Sequence, residues 1–155
     1  MFGSHEASYL GHVIGCGTVA PDPTKLATIQ NFPVPTSKTG VRAFLGLAGY
    51  YRRFIPNFSE VSTPLTNLTR KSAPTKPDWT PACQAAFDTL RSSLSSMPVL
   101  QNPNFQQPLL PQTDASEVAA GAVLAQKDAD GLEHPVAYFS RKFLPREQRY
   151  STVEK

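Results

Sequence analysis

Two sets of side chains in this sequence are of types and spacing that could do chemistry. The first is Asp114, in the run Gln112-Thr-Asp114-Ala-Ser. An aspartate that ends an apolar strand, ahead of small residues and a hairpin, is placed to hold a metal ion at the edge of a sheet. Hard divalent cations take carboxylate oxygens. Aspartate also caps turns, and spacing alone leaves both roles open. The second set is a stripe: Arg42, Gly46, Gly49 and Arg53 fall on one side of a helical repeat, with Tyr50 at its edge. Glycine inside a helix costs about 1 kcal/mol against alanine. Two on one stripe therefore point to something that must come close to the backbone. Arginines at both ends point to an anionic partner, and a nucleic-acid backbone fits. A close helix–helix contact would use the glycines in the same way.

The stripe needs a helix to carry it, and the run Phe44-Leu-Gly-Leu-Ala-Gly-Tyr-Tyr-Arg-Arg-Phe-Ile-Pro-Asn-Phe-Ser59 supplies one. Val41, Phe44, Leu45, Ala48, Tyr51 and Ile55 form its buried face at 3.6 residues per turn. The helix is expected from Ser37 or Lys38 to Phe54. Before it, Tyr9–Ile14 and Gly17–Ala20 read as a small hairpin around residues 15–17. Asp22 and Pro23 then open a helix that runs to about Asn31, as N-cap and first-turn proline. After it, a third helix is expected from about Ser59 to Lys71, followed by a polar linker to Asp78. Thr80 and Pro81 start a further helix whose apolar side is Cys83, Phe87, Leu90 and Leu94, ending near Met97-Pro98.

Asp114 needs a sheet. Beyond Pro98 the hydrophobic period changes to two, and Leu109–Thr113, Gly121–Lys127 and Leu132–Ser140 read as strands. Asp128-Ala-Asp-Gly131 makes the turn between the last two. Ser151-Thr-Val-Glu154 has the form of a capping box.

Charge and composition narrow the classes further. Net charge is +3 over 155 residues. Residues 1–110 hold nine Lys/Arg against five Asp/Glu, and residues 111–155 hold six against seven. A basic front and a slightly acidic rear suit a nucleic-acid-holding element followed by a carboxylate-bearing one. The two cysteines make neither a disulfide framework nor a metal set. No apolar run approaches the roughly 18 residues of a spanning helix, and the N-terminus lacks the order of a signal peptide. An intracellular location, cytoplasmic or nuclear, is expected, with no secretion and no membrane partner.

The run from Phe44 to Ser59 resembles the thumb of reverse transcriptases from gypsy-type LTR retrotransposons, whose motif reads F-L-G-L-x-x-Y-Y-R-R-F-I-P-x-F-S. Trp79–Leu90 is similar to the segment W-T-x-x-C-x-x-A-F-x-x-L that joins thumb to ribonuclease H in that family. Thr113–Leu124 and His134–Lys142 resemble T-D-A-S-x-x-x-x-G-A-V-L and H-P-V-A-Y-x-S-R-K. The resemblance implies an α+β fold: a small helical thumb subdomain, then an incomplete ribonuclease H-like three-stranded sheet with the start of its first helix. It implies a thumb over 1–71, a linker and tether helix over 72–98, and a truncated ribonuclease H-like domain over 99–155.

It also implies roles. In the related retroviral thumb, a glycine followed four residues later by an aromatic lies along the minor groove of the template–primer duplex. Gly46 and Tyr50 match that pair, with Arg42 one turn earlier on the same track. Asp114 matches the first-strand aspartate that bridges two Mg2+ ions in ribonuclease H. The second carboxylate of the family falls on the residue after Lys155. Glu154 lies roughly 200° away from it around a helix, so it reads as the capping-box residue. No Tyr-x-Asp-Asp pair occurs in the sequence. The polymerase centre and the rest of the ribonuclease H set are expected in missing portions of a parent polyprotein. Pro111 and Ala119 depart from the family pattern, and a central strand tolerates proline poorly.

The parent activity implied is RNA-directed DNA synthesis with Mg2+-dependent cleavage of RNA in RNA–DNA hybrids. The fragment itself is expected to be inactive and to hold no Mg2+ stably. Alternatives are a non-catalytic nucleic-acid-binding module, whose partner is an RNA–DNA hybrid or duplex, and a decayed copy without function.

Overall fold

The computed structural model describes residues 5–95 and 99–149. Three short strands, β1 (Glu6–Tyr9), β2 (His12–Gly15) and β3 (Thr18–Pro21), open the chain as two tight antiparallel turns. Sequence spacing reads Tyr9–Ile14 as one strand; the structure breaks it at Leu10-Gly11. Both residues there have positive φ, 47° and 72°, which reverses the chain in two residues. Glycine takes that conformation freely and leucine does not.

Helix α1 (Pro23–Gln30) starts where expected: the Asp22 carboxylate accepts from the Thr24 amide at 2.9 Å and the Thr24 hydroxyl at 2.7 Å. Those two bonds, the hydroxyl first, hold its pKa below the usual aspartate range. Helix α2 (Lys38–Tyr50) is capped by the Ser37 hydroxyl, which accepts from the Gly40 amide at 3.1 Å. It ends earlier than the periodicity suggests, because the chain tightens into a 3-10 turn over Arg52–Phe54. The expected third helix is two pieces, α3 (Phe58–Val61) and α4 (Thr63–Leu68). Pro64 has no N–H to bond back to Glu60, so the helix cannot run through it.

Helix α5 (Pro81–Ser95) buries the side read from the sequence: Cys83, Phe87, Leu90 and Leu94 are all buried. Phe44 of α2 and Phe87 of α5 meet with ring centroids 4.5 Å apart at the centre of the core. Strand β4 (Leu100–Gln101) then returns to β3, giving a four-stranded sheet in the order β1-β2-β3-β4, and Leu100 is buried in the same core. The segments read as tether and start of the second domain thus pack into the helical core.

The second sheet has the order β5-β6-β7, from β5 (Leu110–Ala115), β6 (Ala119–Lys127) and β7 (Glu133–Lys142), all antiparallel. The three strands match the sequence reading to within two residues. Asp128 builds the β6–β7 turn by accepting from the Asp130 and Leu132 amides, both at 2.9 Å. Pro111 sits on β5, at the edge of this sheet among the described residues. A proline is tolerated there because one side of an edge strand has no ladder to lose. The expected helix start at Ser151 lies outside the described residues.

Candidate nucleic-acid interface and metal position

Helix α2 divides as its periodicity requires. Val41, Phe44 and Ala48 are fully buried, whereas Arg42, Gly46 and Tyr50 are exposed. Gly46 is open to solvent: a Cβ built on it meets no atom within 4 Å. Gly49 lies at the margin of the stripe, where a Cβ would stand 3.9 Å from the Phe58 ring. That is an ordinary van der Waals contact, so the packing of α3 does not itself demand a glycine here.

The charged and aromatic members of the stripe have intramolecular partners. A guanidinium nitrogen of Arg42 donates to the Thr69 carbonyl at 3.2 Å. Arg53, also exposed, has its guanidinium carbon 5.6 Å from the Phe54 ring centroid. Tyr50 is 52% exposed. Its hydroxyl donates to the Leu10 carbonyl, and its ring centroid lies 5.4 Å from that of His12. The next residue, Tyr51, donates to the Gly11 carbonyl at 3.0 Å. Burial pushes the Tyr51 phenol above its ordinary value, so it stays a donor. The β1–β2 turn is therefore held against the end of α2, a contact that no sequence spacing marks.

Asp114 lies where the sequence places it, on β5 and exposed. Register fixes its surroundings. Asp114 pairs with Gly121 of β6, which pairs with Ser140 of β7, so the three side-chain positions share one face. That face looks toward the helices. Asn57, from the corner that leads into α3, and Glu60 of α3 line a small cleft with Asp114, Ser116 and Ser140. The opposite face carries Thr113, Ala122 and Phe139, the last 56% exposed.

The two sets of candidate residues are thus on separate elements joined by a short corner. Among the described residues, no group of three or more His, Cys, Asp or Glu is close enough to hold a metal ion. Glu60 is the second carboxylate beside Asp114, and no sequence signal marks it, since it comes from a helix more than fifty positions away in the chain.

Comparison with known proteins decides the family. Residues 79–155 match the RNase H-like domain found in reverse transcriptase. The retrovirus-related Pol polyproteins of transposons 412 and 297 of Drosophila melanogaster are 42% and 37% identical to this chain, over 99% and 97% of its length. The chain belongs to the retrotransposon Pol family. It spans 12% and 14% of the length of those two polyproteins, so it corresponds to a fragment of their reverse transcriptase–ribonuclease H region.

Solved structures agree with the fold of this Pol fragment. The foamy viral protease-reverse transcriptase dRH in complex with ds DNA superposes with a TM-score of 0.84 at 26% identity, over 98% of this chain and 26% of that one. The foamy viral protease-reverse transcriptase in complex with RNA/DNA hybrid gives 0.80 at 25% identity, over 96% and 20%. The α+β reading, helices first and a ribonuclease H-like sheet after, stands.

Proposed function

We propose that this Pol fragment is a duplex-holding element: the outward stripe of α2 lies along the backbone of an RNA–DNA hybrid or a DNA duplex, and no cleavage occurs on this chain alone. The observation that carries the proposal is the open face at Gly46, flanked by the exposed Arg42 one turn before it and Arg53 beyond the helix end. Bare helix backbone between two guanidinium groups suits a groove lined by phosphates, because it allows close approach and neutralises charge at both sides. Tyr50 adds a half-exposed ring beside the track. The similar foamy viral enzymes were captured with double-stranded DNA and with an RNA/DNA hybrid, which supports this class of partner.

Magnesium is implied by the family, and the donor set can be tested against it. Magnesium is held by one or two carboxylates together with substrate phosphates, and cleavage by two ions needs several carboxylates converging on one point. Asp114 supplies one, on an exposed strand. The described residues do not make the two-ion site, so no cleavage step is assigned to them. Asp114 is proposed as one ligand of that site in the longer enzyme.

Fluorescence anisotropy with a labelled RNA–DNA hybrid tests the reading. Binding should weaken with salt, and the Arg42→Ala/Arg53→Ala pair should lower the slope of log K against log salt. The decrease should be about 0.9 for each phosphate that is no longer neutralised, roughly 2 in all. An unchanged slope in the double variant would remove these arginines from the interface.

A further inference from the structure

The stripe and Asp114 lie on different elements, and what connects them is polar and specific. Arg52, next to the outward-facing Arg53, donates to the Ser140 carbonyl at 2.5 Å. The Ser59 amide donates to the Ser140 hydroxyl oxygen at 2.9 Å, and that hydroxyl donates onward to the Ser59 side-chain oxygen at 3.1 Å. Ser140 is 3% exposed, so this bonding is shielded from water. Asn57 has a left-handed backbone, φ 50°. Its side-chain oxygen occupies the place that a Cβ on Gly121 would need. Gly121 is the β6 residue between Asp114 and Ser140.

A polar seam behaves differently from an apolar one. Hydrophobic contact is non-directional and tolerates sliding, whereas hydrogen bonds weaken steeply when misaligned. Tyr138 packs on the helical core and supplies adhesion. The bonds to Ser140 and the fit of Asn57 on Gly121 select one orientation. The corner from Arg52 to Ser59 begins where the α2 stripe ends and touches the strand residues beside Asp114.

We propose that Arg52, Asn57 and Ser59 are positioning residues that lock the sheet bearing Asp114 against the end of α2, through Ser140 and Gly121, and so fix where along a bound duplex Asp114 stands. The last clause rests on the duplex-holding role of the stripe; the lock itself does not. None of the three touches a reacting atom. Their effect is to set the distance and angle between two surfaces that a single duplex would contact together.

Pulsed electron paramagnetic resonance on the full chain tests the lock. Spin labels are placed by Ala43→Cys, on α2 outside the stripe, and Ala115→Cys, both exposed positions, in a Cys16→Ser background; Cys83 is buried and stays unlabelled. A single narrow distance distribution is expected, with and without an RNA–DNA hybrid. Arg52→Ala and Gly121→Ala should each lose the narrow peak while circular dichroism keeps the helix signal, and Arg52→Lys should recover it by restoring a donor. A broad distribution in the starting protein overturns the lock, as does a narrow peak that survives both substitutions. If either variant fails to fold, Ser140→Ala, which removes only a hydroxyl, decides by the same criterion. Hybrid binding is read separately by anisotropy, so a chain that is locked but does not bind refutes the duplex-holding role and leaves the lock standing.

Discussion

Replacing Gly46 by alanine sets the two demands on α2 against each other. A methyl group at this position meets no atom within 4 Å, and the residue is exposed inside a regular helix. Nothing in the fold opposes it. The substitution should therefore recover the helix-propensity difference between the two residues, about 0.5–1 kcal/mol. For a chain of this size that raises Tm by roughly 1–4 °C. The same methyl projects from the stripe into the space assigned to the duplex. If packing there is tight, one added methyl costs about 1–3 kcal/mol, a loss of roughly five- to 150-fold in affinity. Calorimetry and anisotropy on the same preparation read both quantities. A raised Tm with unchanged affinity refutes the idea that this glycine admits a duplex. A lowered Tm refutes the open space. Gly121→Ala is the opposite control, since its Cβ would collide with the Asn57 side-chain oxygen; it should lower Tm.

Two further outcomes concern the core and the β6–β7 turn. Phe44→Ala removes a fully buried ring at the contact between α2 and α5 and should cost about 3–5 kcal/mol, read by urea unfolding; a destabilisation under about 1 kcal/mol would place the core elsewhere. Asp128 is held below the usual aspartate range, first by the side-chain bond to His134 at 2.7 Å and then by the Leu132 and Asp130 amides. A depressed carboxylate stabilises the fold above its unfolded value of about 4, and that contribution disappears as pH falls through the folded value. Hydrogen-exchange protection at 128–134 should therefore weaken in acid, and Asp128→Asn should flatten this dependence; an unaltered acid profile in the variant would refute it.

What is legible in the sequence and what is not divide along a physical line. Period 3.6 identifies the buried side of α2 and of α5 because burial of a helix face is a local pattern read by one neighbouring layer. Asp22 is legible as a cap because its bond reaches only two residues; Ser37 is read only as a possible helix start, and its bond to the Gly40 amide makes it the cap. The exposed set Arg42, Gly46 and Arg53 is legible as the remainder of that pattern. Tyr50 is half legible: its position on the helix is periodic, but its bond to Leu10 spans 40 residues. The contacts around Asp114 are not legible, since the bonds from Arg52 and Ser59 to Ser140 cross more than 80 residues. Pro111 shows the converse. A local rule argues against a strand there, yet β5 forms and pairs with β6, as an edge strand among the described residues.

The turn at Leu10-Gly11 has a consequence for the order of folding. A leucine in left-handed conformation, φ 47°, is disfavoured by roughly 1–2 kcal/mol, and an isolated hairpin is marginal in water even with better turn residues. Besides the Asp22 amide, which donates to the Gly11 carbonyl at 3.0 Å, the bonds that hold this one come from Tyr50 and Tyr51 at the far end of α2. Strands β1 and β2 are therefore expected to gain their full stability only with a helix that follows them in the chain. During synthesis these strands emerge before α2 and are expected to settle after it, so the register of β1 against β2 is set late.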